Sequence, residues 1–359
     1  MIQSIWIKSF RCLKELTIDF SKYHLVSILS KNNTGKTSIL EACYVLGHLK
    51  SFLTPDLSKA VPFKQDASYM GINIQDVSMD HRYYLKICQE GKKYINLNQE
   101  AVKQKARIQS LFRVAYISSD SLHLITSSPT YRRDQLDLSI SQISPVYRKL
   151  LASYKRLVSQ KNELLRTVGG SALYGPLHEL MAPLMIEISE KRRLYLDKIK
   201  QIQYGYFKNI EIVTGSLDLM YYSVTNEWGS EQALLDRMHQ ELDKEIIRKR
   251  TSFGVHRDDY TFFINEKPIK DFYSRGVCRC VAYFFQLSYA HLIYQELGCP
   301  MLLLMDEPFS EIHQDIKHQL IQCIPKEFKV IYTSTQMQEV SSVDACALFK
   351  IEQGELCKI

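Results

Sequence analysis

Two short stretches far apart in the chain constrain its fold more than anything else in it. The first is Ser30-Lys31-Asn32-Asn33-Thr34-Gly35-Lys36-Thr37-Ser38, which follows an apolar stretch and opens an amphipathic one. A loop of this kind between a strand and a helix is the setting of a phosphate-binding P-loop. Its backbone N–H groups converge on phosphate oxygens, and the helix N-terminus adds partial positive charge. Lys36 is then expected to reach the β and γ phosphates of ATP, and Thr37 to hold Mg²⁺ through its hydroxyl. The pattern asks for Gly at its first position, where this chain has Ser30, and Gly-Lys-Thr also arises by chance. The second stretch is Met301-Leu302-Leu303-Leu304-Met305-Asp306-Glu307-Pro308. A wholly apolar run reads as a strand buried on both faces of a parallel sheet. Two carboxylates at its end are costly to bury without a partner, and Mg²⁺ beside a triphosphate is a natural one. Asp306 would hold the metal through water, and Glu307 would polarise the attacking water. The plain alternative is an acidic strand end in a loop. Lys36 and Asp306 lie 270 residues apart, so one shared site requires a core split by a long insert.

The periodicity supplies that insert. Residues 2–20 read as two strands and 23–29 as a third, followed by a helix over 37–49 with Ile39, Ala42, Cys43 and Leu46 on its apolar side. Further strands are expected over 83–95 and 113–117. From about Pro129 to Asn209 the pattern turns helical. Leu150, Tyr154, Leu157, Lys161 and Leu164 form the inward stripe of one long helix, with Arg148, Lys149, Lys155 and Arg156 between them. A second runs over 177–207 with a bend at Pro183, and Gly169, Gly170 and Gly175 mark the connection. After Glu211 strand character returns. The expected organisation is an α/β head in two parts, 1–128 and 211–359, around a helical arm at 129–210.

Charge points at the arm. Residues 131–210 hold 14 Lys and Arg against 7 Asp and Glu, which matches the whole-chain excess of +7. A basic segment in an otherwise balanced chain suggests a polyanionic partner, while a solvated helical face is the plain reading. No run of 18 apolar residues occurs and the start of the chain is not a signal peptide, so a cytosolic protein with no membrane span is expected. The nine cysteines are scattered. Only Cys278 and Cys280 are close, and reduced thiols are expected rather than a metal site.

A third element, Ser274-Arg275-Gly276, opens a helix 32 residues before Asp306. It resembles the signature of ABC ATPases, in which one subunit presents a helix N-terminus to the γ phosphate held by another. Ser also caps helices without further purpose. With these motifs in place the chain resembles the RecF family of bacterial recombination-repair proteins. The likeness is carried by Ile7-Lys8-Ser9-Phe10-Arg11, by Asn32 through Glu41 with Leu46-Gly47, and by Ser128-Pro129-Thr130-Tyr131-Arg132-Arg133-Asp134-Gln135-Leu136-Asp137. It continues through Tyr147 to Arg166 with Ser159-Gln160-Lys161-Asn162, then Gly254-Val255-His256-Arg257-Asp258-Asp259 and Tyr273-Ser274-Arg275-Gly276. The Pro-x-x-Arg-Arg and His-Arg-Asp-Asp stretches are particular to that family. The resemblance implies a head like that of Rad50 and SMC proteins with a short helical arm. It also implies a weak, DNA-stimulated ATPase that forms an ATP-dependent homodimer on DNA near single-strand/double-strand junctions, in the nucleoid. Partners of the RecO and RecR type, and loading of RecA at gaps, follow from the same resemblance.

The departures gather at the nucleotide site. Gly is usual in the family where this chain has Ser30 and Asn33. Gln usually follows the signature, where this chain has Val277 and Cys278, and Asp is usual at His313 after Ser310-Glu311-Ile312. Ser30 would be strained if its turn needs a glycine-like φ, whereas Asn33 tolerates a positive one. These changes bear on hydrolysis more than on ATP binding. An ATP-binding scaffold without significant turnover therefore stands beside the DNA-binding switch. A transporter nucleotide-binding subunit is disfavoured by the long basic insert. A nuclease of the overcoming-lysogenization-defect type would need an acidic domain that the roughly fifty residues after Asp306 do not leave room for. The arm residues Arg148, Lys149, Lys155 and Arg156 are the expected DNA contacts.

Overall fold

The computed structural model describes residues 1–359 apart from 32, 76–78, 168–172, 209, 211–214, 229, 310–311 and 336–345, with backbone only at 105, 106 and 227. Strands are numbered β1 to β15, and the helices of eight residues or more α1 to α7, in chain order among the described residues. The chain forms two units. One comprises Met1–Ser121, Asn209–Ile212 and Arg275–Ile359, the other Leu122–Lys208 and Val213–Ser274.

The first unit holds two six-stranded sheets. One is antiparallel, in the order β2 (Leu13–Asp19), β1 (Ile2–Phe10), β4 (Ala67–Gln75), β5 (Asp80–Cys88), β6 (Lys93–Leu97), β7 (Glu100–Ala101). The other runs β15 (Glu355–Lys358), β14 (Cys346–Glu352), β3 (Leu25–Leu29), β13 (Lys329–Ser334), β12 (Met301–Asp306), β8 (Arg113–Ser118), parallel except for β15. As the continuous apolar runs require, every residue of β3 is buried, and so is β12 up to Met305. The antiparallel sheet alternates instead. Ile5, Ile7, Met70, Ile72 and Leu85 point into one core that also takes in Ile39, Cys43 and Leu46 of α1 (Lys36–His48) and Leu302 and Leu304 of β12. Arg11, in the turn after β1, forms a two-pronged ion pair with Glu41, a fully buried carboxylate of α1, with Arg11 Nη2 donating to Oε1 at 2.7 Å. The pair ties the opening hairpin to the helix that begins at Lys36.

The second unit packs α2 (Pro129–Ile143), α3 (Pro145–Thr167), α4 (Gly175–Phe207) and α5 (Glu231–Arg248) with a three-stranded antiparallel sheet, β9 (Leu217–Tyr222), β10 (Asp259–Ile264) and β11 (Lys267–Pro268). The helical arm expected at 129–210 is thus only part of a larger unit, and the boundary at 211 is corrected: residues 213–274 belong with the helices. The reason is a set of long-range polar contacts that periodicity does not reveal. Lys161 of α3 meets Glu245 of α5 at 2.6 Å with both side chains buried. Arg192 of α4 reaches Asp258, and Arg132 of α2 reaches Asp259. The inward face of α3 is also corrected. Tyr147, Leu151, Tyr154, Lys161 and Leu165 are buried, while Leu150, Leu157 and Leu164 flank them half-buried. Polar tips fix that rotation: the Tyr147 hydroxyl donates to Asp137, the Tyr154 hydroxyl shares a 2.9 Å hydrogen bond with His256 Nδ1, and Lys161 pairs with Glu245. Gly254 admits this arrangement. Its φ is 142°, and a Cβ there would stand 2.2 Å from the Tyr154 hydroxyl. Helix α4 continues through Pro183 as one 33-residue element. Gly169 and Gly170 lie outside the described residues.

All nine cysteines are free thiols, and Cys278 and Cys280 are buried in α6 (Arg275–Leu297). Burial pushes the Cys280 thiol up to about 12. Among the described residues no helix is long and apolar enough to cross a membrane.

Candidate functional site

Parallel pairing decides where the site forms. Strands β3, β13 and β12 are neighbours, with Leu29 opposite Ser334 and Thr333 opposite Asp306. Their C-terminal ends therefore share one edge of the sheet, where the loop entering α1 meets the end of β12. A cavity of 470 Å³ opens there, lined by Asn33, Gly35, Lys36, Thr37, Ser38, Asp306 and Glu307 with Cys12 and Ser119. The sequence separation of the two motifs is thus closed within the first unit.

Lys36 is buried, and its Nζ donates to the Ser30 carbonyl at 2.8 Å and pairs with Glu307 Oε1 at 2.6 Å. Thr37 Oγ1 donates to Asp306 Oδ2 at 3.1 Å. Asp306 is held from two further sides: Thr333 Oγ1 donates to its Oδ1 at 2.7 Å and the Tyr116 hydroxyl to its Oδ2 at 3.4 Å. Burial, then the nearby Asp306 carboxylate, drive the Tyr116 phenol well above its ordinary range, so it stays a donor. Glu307 has a positive φ of 43° and its N–H donates to the Thr333 carbonyl at 3.2 Å. Such a conformation is uncommon for a non-glycine residue.

The residues suit a nucleotide polyphosphate with a hard divalent cation. Helix α1 has Gly35 at its N-cap and no acidic residue in its first turn, so the partial positive charge of its N-terminus suits an anion. Thr37 and Asp306 offer oxygen donors side by side, as Mg²⁺ prefers when phosphates complete its shell.

Not every residue expected at the site lines it. Ser30 is buried, accepts Lys36 through its carbonyl and turns its Oγ to the Ile351 carbonyl at 3.5 Å. Its φ is not positive, so the missing glycine causes no strain there. Among the described residues of the loop the left-handed positions are Asn33, at φ 63°, and Gly35, at φ 108°. Lys31 is exposed and takes the Thr34 hydroxyl on its carbonyl at 2.9 Å. Asn32, Ser310 and Glu311 lie outside the described residues. Ser274 is exposed just ahead of α6, and half-buried Gly276 is the second residue of that helix. Neither lines the cavity. His313 pairs at 3.3 Å with Asp315, both exposed. Tyr116, Thr333, Ser119 and Cys12 were not foreseen, because only the strand order brings them to Asp306 and Lys36.

The model of the AAA ATPase domain family matches residues 1–271. A DNA replication and repair protein RecF from Exiguobacterium sp. is 28% identical over 99% of this chain and 98% of its own length. One from Clostridium botulinum is 27% identical over 99% of both chains. The chain belongs to the RecF family and carries an AAA ATPase domain. Solved structures agree. The recombination mediator protein RecF–ATPrS of the RecFOR pathway is 25% identical with a TM-score of 0.83, covering 100% of this chain and 98% of that one. The RecF–ATP structure is 26% identical with a TM-score of 0.81, covering 100% of this chain and 97% of that one. An Smc head, 12% identical with a TM-score of 0.59 and covering 100% and 96% of the two chains, shares the fold. The α/β fold is that of an ABC-type P-loop ATPase head.

Lys36→Ala should weaken ATP binding by about 10- to 150-fold, the worth of one hydrogen bond to a charged group, about 1.5–3 kcal/mol. Lys36→Arg should keep part of the binding, because its charge stays while its fork is larger than an ammonium. Calorimetric titration checks both. Equal affinities for wild type and Lys36→Ala would remove Lys36 from the site.

Proposed function

We propose that the chain is an ATP-dependent DNA-binding protein of recombinational repair and replication-fork maintenance. On this reading it dimerises with ATP on gapped or double-stranded DNA and helps to load recombinase at single-strand gaps, with RecO- and RecR-type proteins as partners. The observation that carries the reading is the meeting of Lys36, Thr37, Asp306 and Glu307 in one cavity, in a chain whose curated relatives bear the name of a DNA replication and repair protein over nearly its full length.

The geometry supports the following roles. Bound Mg-ATP would supply the phosphoryl group and the ion that neutralises its oxygens. Lys36 offsets phosphate charge from a buried position. A phosphate oxygen competes with Glu307 for the Lys36 ammonium, which leaves the carboxylate to accept a proton from water. Thr333 and Tyr116 hold Asp306 in place beside Thr37 for the ion. Ser274 and Gly276, outside the cavity of their own chain, are assigned to the nucleotide of a second copy. In the second unit Arg148, Lys149, Lys155 and Arg156 are all exposed on α3, and none has an ion-pair partner among the described residues. They are assigned to phosphate contacts.

The test is DNA binding by the full chain with no nucleotide, ATP or ADP. ATP should strengthen binding, because a dimer presents two arms. Lys149→Glu, Lys155→Glu and Arg156→Glu together should weaken it and flatten its salt dependence, since each lost phosphate contact lowers the slope by about one. A triple variant that binds duplex as wild type does at every salt concentration removes the arm from the reading. Identical affinity in all three nucleotide conditions removes the switch.

A further inference from the structure

The outer face of the antiparallel sheet carries rings and cations that the nucleotide site does not use. Pairing aligns Trp6, Gly71, Tyr84 and Asn96 in one row across β1, β4, β5 and β6, and Lys8, Tyr69, Lys86 and Tyr94 in the next. A third row adds Ser4, Asn73 and Arg82. Alternate residues of the same strands are core, so the period of two sends these rows to the opposite side. Trp6 covers Gly71: a Cβ there would fall 2.5–2.8 Å from three indole atoms. The indole thus rests on the strand with its other side outward. Ring centroids are 5.8 Å apart for Trp6–Tyr84 and 6.3 Å for Tyr69–Tyr84, with tilts of 33° and 35°. The Lys86 ammonium stands 5.7 Å from the Tyr69 ring and 5.8 Å from the Tyr94 ring. An open groove of 610 Å³ runs past Trp6, Tyr84, Asn73 and Arg82.

The charged groups on this side are Lys8, Arg82 and Lys86 on the central strands, Glu15 and Asp19 on edge strand β2, and Asp80 at the start of β5. Lys8 pairs with Glu15 at 3.1 Å. Arg82 and Lys86 have no ion-pair partner among the described residues. Rings interleaved with cations that lack an acidic partner among the described residues match a polymer that presents flat bases and phosphates together. Every base has a π-face, and stacking on an aromatic side chain is worth about 1–3 kcal/mol per base. A duplex hides those faces.

We propose that this face binds single-stranded nucleic acid, with bases stacked on Trp6, Tyr84 and Tyr69 and phosphates at Arg82 and Lys86. The proposal shares with the function above only the class of partner and rests on neither the nucleotide site nor the arm. Trp6 is its own reporter: the chain has two tryptophans, and Trp228→Phe leaves Trp6 alone. The full-length variant is titrated without nucleotide with oligo(dT) and with an abasic oligomer of equal length. Oligo(dT) should quench Trp6 emission to saturation, and the abasic strand should not. Tyr84→Ala should raise the half-saturating concentration by about 5- to 150-fold, and Tyr84→Phe should nearly restore it. No quenching by oligo(dT) overturns the proposal, whether or not the arm binds DNA. So does equal quenching by the abasic strand. Emission that follows protein concentration instead of oligonucleotide would assign the face to a second copy of the chain and equally overturn it.

Discussion

Glu307→Gln should lower ATP hydrolysis by about 10²- to 10⁴-fold, the usual worth of a positioned proton acceptor, while leaving ATP bound. The substitution keeps the side chain's shape, so the amide oxygen can still accept from Lys36 Nζ, 2.6 Å from Glu307 Oε1. It removes the negative charge and the ability to take a proton from water. Losing the charge also frees Lys36 from an ion pair that phosphate must otherwise displace, so affinity for ATP should be unchanged or higher. With turnover blocked, size-exclusion in Mg-ATP should show more dimer than wild type. Steady-state hydrolysis in the presence of DNA measures the rate. A variant that hydrolyses ATP at the wild-type rate takes the general-base role away from Glu307. If wild type itself shows no turnover, the ATP-binding scaffold becomes the better reading.

The residues that meet in this cavity were legible because they lie in local motifs. An apolar run ending in Asp306-Glu307 reads as a buried strand with carboxylates at its end, and Gly35-Lys36-Thr37 after an apolar stretch reads as a turn that opens a helix. What supports them was not legible. Thr333 and Tyr116 come to Asp306 because β13 and β8 flank β12, and strand order is not written in local periodicity. Ser30 shows the opposite error. Its family position asks for glycine, yet its backbone needs no positive φ, and Asn33 and Gly35 take the left-handed turns.

The arm misled for an electrostatic reason. Residues 131–210 carry a surplus of cations, but Arg132, Lys161 and Arg192 are spent inside the unit on Asp259, Glu245, Asp137 and Asp258. Three of those four carboxylates lie in residues 213–274, which hold 11 Asp and Glu against 8 Lys and Arg. A charge count cut at 211 separates ions from their partners, so both the boundary and part of the apparent polyanion signal were artefacts of one cut. The stretches Pro-x-x-Arg-Arg and His-Arg-Asp-Asp, which carry part of the family likeness, supply Arg132, Asp258 and Asp259 to this internal network. The exposed row on α3 is what remains of the basic signal.

That network sets the second large effect. Arg192 is 2% exposed and donates to Asp137 Oδ1 and Oδ2 at 3.0 and 3.1 Å, to Asp258 Oδ2 at 2.9 Å and to the Val255 carbonyl at 2.7 Å. Arg192→Met keeps much of the apolar stem but strands two buried carboxylates. Breaking a buried pair from one side costs about 3–5 kcal/mol, a large part of a domain's stability. The second unit should lose its cooperative transition or shift it far down in denaturant. Chemical denaturation followed by circular dichroism measures the loss. The cause can be told from simple loss of packing by its pH dependence. In the native chain burial raises the Asp258 carboxyl and Arg192, the largest opposing influence, draws it back. Without Arg192 burial acts with less opposition, so the folded state holds a proton that the unfolded state releases above about pH 4. The folded form then binds more protons, and its stability falls as pH rises through that point. The deficit of Arg192→Met relative to wild type should therefore be smallest below about pH 4 and grow toward neutrality, and adding Asp258→Asn should recover part of it at pH 7. A deficit independent of pH, or no recovery with Asp258→Asn, would mean that Arg192 matters for its volume and not for its charge.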